Sequence, residues 1–563
     1  MNTAVWVVSP PRPEADALAE ALSLPPALAR VLVNRKILTP DEARAFLHGG
    51  LEGLHDPYLM KGMDRAVERI GAAIDRGEKI LIFGDYDVDG VLSTVMLMKA
   101  LTTLGAKAGY FIPERLTDGY GIKEDHVRIP VERGASLVIS VDCGIKALEF
   151  TARARERGVD VIVTDHHRPG ETLPEAVSVL DPVLEDSGYP DRGLAGVGVV
   201  FKLIQALLRK AGKDAGLPHY MKLVSIGTVA DVAELKGENR LFVKHGLQGL
   251  RNVANTGLRS LIEACGLGHR KISEGDLGFR IGPRINAAGR MGMTDLAVRL
   301  FFSEDAAESA ALVQKLDELN AQRQRTEERI FTEACERVER RGLDRKYKCL
   351  VLGSPDWHRG VIGIVASKLK DRFHRPVVLF NYDNGKAHGS GRSISEVPLI
   401  DLLDDCRHHF LSYGGHRLAV GCTLATERMA AFKETLNPLA EARISEDALT
   451  RKIRIDGPLG FAEIDDAFLE TFGLLVPFGV GNPKPLFVAE EVEVVGEPQV
   501  LQGKHLKFLA RQGGRVFEAL GWDKSDWRHV VHRGGRVSLV FSLGRSEFMG
   551  ETRTNLVIED LKI

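Results

Sequence analysis

The clearest pattern along the chain is an alternation of short apolar runs with stretches of helical periodicity. Between residues 63 and 235, runs at 80–83, 108–112, 136–141, 160–164 and 177–180 are mostly apolar and bounded by turn residues, which predicts buried strands. Helical stretches fall between them, for example 91–104, 146–157 and 198–210. Runs this apolar, separated by helices, predict a mostly parallel sheet covered on both faces. A second α/β unit is expected further on, with strands at 349–353, 376–380 and 418–424 and helices at 360–372 and 398–410. Between the two, residues 305–342 carry only a narrow apolar stripe (Leu312, Leu316, Leu319, Thr326, Ile330 and Val338) in a polar background. A helix this polar bridges domains or forms a coiled-coil arm; either way it is a connector. After a proline- and glycine-rich stretch at 477–487 the pattern changes to short β runs at 492–495, 506–509, 516–520, 537–541 and 554–558, which predicts a small barrel. The first 58 residues read as small helices, such as 40–47 with Thr39 as N-cap, and as an appendage without chemistry.

A chain of 563 residues holds roughly three or four domains. Its net charge of −2 carries no global basic signature, so any nucleic-acid surface must be local. From residue 501 to 563 there are eleven Lys or Arg, Lys504 and Lys507 among them, against seven Asp or Glu. Phe508, Phe517, Trp522, Trp527 and Phe548 lie among those cations, a mixture suited to stacking on single-stranded bases, although most of these rings also fit the interior of a barrel. Six cysteines with no C-x-x-C pair argue against zinc ribbons and disulfide frameworks and for a reducing compartment. The N-terminus lacks a secretory signal, and the most apolar helix, 91–104, is interrupted by Lys99 and too short for a bilayer. A cytoplasmic protein that does not enter a membrane is expected.

The candidate chemistry sits where strands end. The run at 80–83 leads into G-D-Y-D-V-D-G, with Asp85, Asp87 and Asp89 on a tight turn before a helix. Acids so close repel one another unless a cation holds them. A solvated acidic turn that caps the helix is the plainer alternative. The run at 136–141 ends in Asp142 of a D-C-G turn, and 160–164 ends in Asp165-His166-His167. Three strands thus deliver Asp or His to one edge, where open α/β sheets place their ligands. Asp231 lies near the end of a helical run at 221–230, where a plain surface carboxylate is equally plausible. In the second α/β unit, G-S-G-R-S at 389–393 reads as a loop whose backbone approaches a ligand, with Arg392 as a forked donor for phosphate and Ser390 as a hydroxyl. G-G-H at 414–416 sets His416 on a flexible turn.

Together D-Y-D-V-D-G, D-C-G and D-H-H resemble the DHH phosphoesterase superfamily and, within it, the RecJ family of single-stranded-DNA exonucleases. A-D-V-A-E around Asp231, R-I-G-P-R-I-N-A-A-G-R-M at 280–291, G-S-G-R-S and G-G-H extend the likeness from about residue 45 to the end. The resemblance implies a DHH catalytic domain at 59–265 after the appendage at 1–58, and a connector with a long helix at 266–345. A DHHA1-like phosphate-binding domain at 346–445 and an OB-fold at 446–563 follow. It implies Asp87, Asp89, Asp142, His166 and Asp231 as ligands of one or two divalent ions, with Asp85 a ligand or a close neighbour of one. Asp165 and His167 ligate directly or orient their neighbours. Carboxylates with imidazole and no thiolate suit Mn²⁺ or Mg²⁺. Ser390 and Arg392 are implied as the 5′-phosphate anchor, with His416 on the scissile phosphate and Arg115 as another phosphate contact. Arg280 and Arg284 are implied along the strand entrance.

The activity implied is metal-dependent 5′→3′ degradation of single-stranded DNA to nucleoside 5′-monophosphates in repair and recombination, by a monomer working beside a helicase and a single-strand-binding protein. Two alternatives stand beside it. Other DHH proteins hydrolyse small substrates, but they lack this C-terminal barrel. A non-catalytic scaffold would have lost acids from the metal motifs, and here each is present.

Overall fold

The strand Lys79–Phe83 lies inside a five-stranded sheet, flanked by Lys107–Phe111 and Leu137–Val141, with Asp160–Thr164 and Ser178–Leu180 following beyond. All neighbours are parallel, as runs this apolar require, since only helices on both faces bury such strands. The computed structural model describes residues 4–114, 121–548 and 551–563. The described chain forms two units, one of His55–Ala233 with His245–Thr450, the other of Met1–Leu54, Glu234–Lys244 and Arg451–Ile563.

In the first unit the spatial order of strands reverses direction beside Lys79–Phe83. The chain runs outward to Lys107–Phe111, then returns to place Leu137–Val141 on the other side. Such a switch point opens a crevice at the carboxyl ends of the two inner strands. The helix Val88–Thr103 that follows the first strand is buried on nearly every side, which explains its lack of a polar stripe. The long helix Ala306–Arg341 is polar but carries a buried stripe through Leu312, Leu316, Leu319, Ile330 and Val338. Its N-terminal half packs on the helices Thr256–Ala264 and Gly282–Arg290, and its C-terminal half on Ile362–Phe373, so it joins two sheets.

The second sheet has the order Phe410–His416, Ala419–Ala425, Lys386–Arg392, Val377–Asp383, Leu350–Ser354, with only the last pair parallel. Here the structure departs from the sequence reading. G-S-G-R is not a loop but the end of the strand Lys386–Arg392, and G-G-H closes the strand Phe410–His416. The expected helix at 398–410 is shorter, Leu399–Asp405, and gives way to a 3₁₀ turn.

The other unit contains the barrel. Phe487–Leu501, His505–Gln512, Arg515–Gly521, Glu551–Lys562 and Arg536–Phe548 pair in that order, and the last strand pairs back to the first, closing the sheet. The N-terminal helices are not a separate appendage. Leu28, Val31, Leu32 and Leu47 share one core with Phe461, Phe487, Leu539 and Leu556, and strand Val5–Val8 pairs with Lys452–Ile455. Arg240 ties the middle segment to the same unit, donating to the carbonyls of Phe46, Leu474, Leu475, Val476 and Pro477. No helix among the described residues is long and apolar enough to cross a membrane.

Candidate active site

The tips of the parallel sheet converge as the motif spacing anticipates. Asp87 caps the helix Val88–Thr103, accepting from the amides of Asp89 at 2.9 Å and Gly90 at 3.1 Å. Asp89 turns inward and accepts from Gly196 at 2.8 Å and Val197 at 2.6 Å, the first amides of another helix, so a helix N-terminus stabilises its charge. Asp142 adopts a left-handed backbone, φ 59°, one of the few non-glycine residue types that tolerate it. Asp165 accepts from the amides of His166 and His167 and from His167 Nδ1 at 2.7 Å, which leaves the His167 lone pair on Nε2. His166 lies between three acids: Nε2 is 3.1 Å from Asp142 and 3.9 Å from Asp89, and Nδ1 is 3.9 Å from Asp231.

Among the described residues, three overlapping groups have geometry able to hold an ion: Asp85, Asp87 and Asp142; Asp142, His166 and His167; and Asp89, His166 and Asp231. Asp142 and His166 each belong to two of them. A finer test of fit comes from Asp142 Oδ1 and His166 Nε2, which are both buried, lack a hydrogen-bond partner and face one another at 3.1 Å. Neighbouring ligands at right angles on an octahedral ion with bonds of about 2.1 Å stand about 3.0 Å apart. The cluster is electrostatically strained in the same sense. Burial and Asp87 push Asp89 up to about 6 against the opposing pull of His166. Burial and the surrounding carboxylates hold Asp142 well above the ordinary range, and burial with Asp89 does the same to Asp231. His166 is raised despite its burial, because Asp231, Asp89, Asp165 and Asp181 surround it. Cys143 is no ligand here: its thiol is buried against the carbonyls of Val141 and Phe83, and burial raises its pKa far up.

The second sheet faces these tips. The rings of His167 and His416 stand 6.5 Å apart and nearly parallel, at 11°. His416 pairs across Ala419 with Arg392, so both lie in one row of the sheet and project from the same face. Two strand spacings separate them, about 10 Å. Ser390 shares the face of Arg392, and the two touch at 3.4 Å. The glycines between them serve packing. A Cβ on Gly389 would meet Cys422 Sγ and Phe380 at 2.5 Å, and one on Gly391 would meet Val420 at 2.6 Å. The helix Ile362–Phe373 begins beside the pair, where a Cβ on Gly363 would stand 2.8 Å from Ser390 Oγ and 3.4 Å from Arg392. A hydroxyl, a guanidinium and a helix N-terminus together suit a phosphate.

Several other sequence-predicted residues are held by partners of their own. Arg284 pairs with Asp317 on the long helix at 2.5 Å, and Arg280 holds the carbonyl of Cys265 and the carboxylate of Asp276. On the helix Gly282–Arg290, Asn286 accepts from Val88 at 3.2 Å, and Arg290 donates to Gly360 at 3.0 Å. Arg115 falls outside the described residues. In the barrel Lys507 pairs with Glu518 at 2.5 Å while Lys504 is exposed. Phe508 and Trp527 are core, Phe517 packs against it, and Trp522 is 55% exposed. One acid escaped sequence reasoning. Asp181 follows the strand Ser178–Leu180 and stands one register step from Asp165, and burial pushes it up to about 7. Its signal was the same as the others, an acid directly after a short apolar run.

A switch-point crevice lined by these acids and histidines, opposite Ser390 and Arg392, fits a DHH phosphoesterase. Family models agree: the DHH family N-terminal domain matches residues 79–228, the DHHA1 domain 346–442 and the RecJ OB domain 455–560. The chain is 38% identical to the single-stranded-DNA-specific exonuclease RecJ of Bacillus subtilis, over 98% of this chain and 70% of that protein. It is 33% identical to the protein of the same name from Escherichia coli, over 98% of each. Its fold resembles that of Thermus thermophilus RecJ in complex with Mn²⁺, with a TM-score of 0.85 at 32% identity over 99% of this chain and 79% of that one. Against the Mg²⁺ complex of the same protein the TM-score is 0.78 at 31% identity, over 99% and 78%. The chain belongs to the RecJ family.

Proposed function

We propose that this protein is a metal-dependent exonuclease that degrades single-stranded DNA from its 5′ end to nucleoside 5′-monophosphates, acting in DNA repair and recombination. The observation that carries the reading is the pairing of the two faces, with His416 6.5 Å from His167 and in one row with Arg392. The barrel, matched as a RecJ OB domain, supports binding of a single strand.

Asp85, Asp87, Asp89, Asp142, His166 and Asp231 would hold the divalent ions, Mn²⁺ or Mg²⁺, with Asp142 shared between sites. Bound there, such ions lower the pKa of a water and draw charge from phosphate oxygens. Asp165 fixes the ring of His167. Ser390 and Arg392 take the terminal 5′-phosphate, with Arg115 as a further contact, and His416 meets the scissile phosphate and offsets charge developing on it. Each cleavage leaves a new 5′-phosphate for the same anchor, so polarity follows from which terminus the anchor accepts. The protein works as a cytoplasmic monomer beside a helicase and a single-strand-binding protein.

The test uses single strands labelled at either end, with Mn²⁺ or Mg²⁺. The 5′ label should leave first as a mononucleotide, while the 3′ label shortens through a ladder, and Asp89→Ala should release neither. Early release of the 3′ label, or full activity in Asp89→Ala, would overturn the reading.

A further inference from the structure

We propose that Phe279 is a stacking platform for an unpaired nucleobase of the substrate strand, set beside the cation site. The inference rests on the reading of the chain as a single-strand nuclease and adds a binding residue to it. Phe279 is 86% exposed, more than any other large hydrophobic side chain among the described residues. It does not belong to a frayed segment. Leu277 and Ile281 on either side are fully buried, and Arg280 pins the turn through the Cys265 carbonyl and Asp276. The five residues Leu277–Ile281 form a π-helical turn, a rare element that recurs at functional sites.

Location gives the exposed ring its meaning. The turn packs on the last residues of the helix Met221–Ala230, where a Cβ on Gly278 would stand 3.6 Å from Val229 and one on Gly282 3.4 Å from Ala230. That helix ends in Asp231, whose carboxylate is 3.9 Å from His166. The next residue, Val232, is 64% exposed and holds a left-handed φ of 64°, strained for a β-branched side chain. The helix that continues from the turn reaches the metal-binding turn through Asn286 and the second sheet's domain through Arg290. A segment that touches both sides of the site therefore begins with an outward aromatic ring.

A lone ring beside Arg280 and Asp276 is not the apolar patch that a protein partner buries. It does suit a base, whose π-face stacks on aromatic side chains whatever the sequence, as an exonuclease requires. Inside a duplex the bases stack on each other and offer no such face.

Two measurements test this with the full chain. The first is KM on 5′-phosphorylated strands bearing one abasic nucleotide at successive positions. The second is fluorescence of 2-aminopurine at those positions in strands with non-cleavable linkages, which reads stacking without turnover. We expect Phe279→Ala to raise KM on intact strands roughly 5- to 100-fold, to relieve quenching at one position, and to become indifferent to an abasic nucleotide there. Phe279→Trp should retain all three behaviours. An unchanged KM and quench would overturn the proposal and leave Phe279 to a protein contact. A raised KM with the abasic penalty intact would also overturn it, since a merely structural role does that. If strands bind but are never cut, the exonuclease reading fails and the quench alone decides this inference.

Discussion

The two sheets of the larger unit solve opposite problems. At the tips of the parallel sheet, like charges are forced together: Asp89 and Asp142 are buried, Asp231 beside them is half-buried, and all three sit above their ordinary pKa. In the mixed sheet, Ser390, Arg392 and His416 stand on strands, spaced by register and separated by glycines that a crowded core demands. The first region gathers carboxylates whose charges burial and one another disfavour, whereas the second holds no such cluster among the described residues. One side of the crevice thus gathers repelling charge that a cation would relieve, while the other carries neutral and positive groups whose chemistry suits phosphate.

The difference can be broken most severely at Asp142, the carboxylate shared by two of the groups that could hold an ion. Asp142→Asn should lower kcat by at least about a thousandfold, since it removes a ligand common to both. The same change should raise the melting temperature of the metal-free protein, because it deletes a buried repelling charge, and calorimetry with and without Mn²⁺ would show both effects. On the other side, His416→Ala should cost roughly 100- to 1000-fold in kcat, the loss expected for one donor to a developing charge. Its Mn²⁺ affinity by titration calorimetry should be unchanged, as His416 lies in none of the ion-binding groups.

Smaller effects sharpen the comparison. Arg392→Ala should raise KM about 10- to 100-fold on 5′-phosphorylated strands and much less on 5′-hydroxyl strands, the scale of a charge-assisted hydrogen bond. Competition between the two kinds of strand would measure it. Gly363→Ala should act in the same direction by only severalfold, because its methyl group would press on Ser390 Oγ at 2.8 Å. The mildest test is pH. Asp89 is raised to about 6, so the folded protein binds more protons than the unfolded chain between about pH 4 and pH 6. Stability of the metal-free protein from this group is therefore present below about pH 4 and lost as pH rises toward 6. Mn²⁺ should accordingly raise the melting temperature more at pH 8 than at pH 5, since protons compete for the same oxygens.

Much of the cation side was legible in the chain. An acid after an apolar run is a local signal, because a parallel sheet delivers its strand ends to one edge whatever surrounds it. Asp181 carries the same local signal, with a proline after it in place of the glycine turn or histidine pair that follows the other acids. The form of the second sheet's edge was less legible. G-S-G-R suggests a flexible loop, yet its alternation is that of a strand, with glycines against Phe380, Cys422 and Val420 and the polar residues opposite. Spacing sets Arg280 and Arg284 four residues apart on one side of the chain, and only packing decides that Arg284 pairs with Asp317 and Arg280 with Asp276.

By itself the sequence determined the parallel sheet, the C-terminal barrel and the placement of acids and imidazoles directly after the strands, because apolar periodicity and turn residues act over short distances. Tertiary structure alone decided that His416 meets His167, that the N-terminal helices complete the barrel's core, and that Phe279 stands outside any core. Those outcomes depend on which surfaces pack together across hundreds of residues, and no local pattern encodes the partner of a surface.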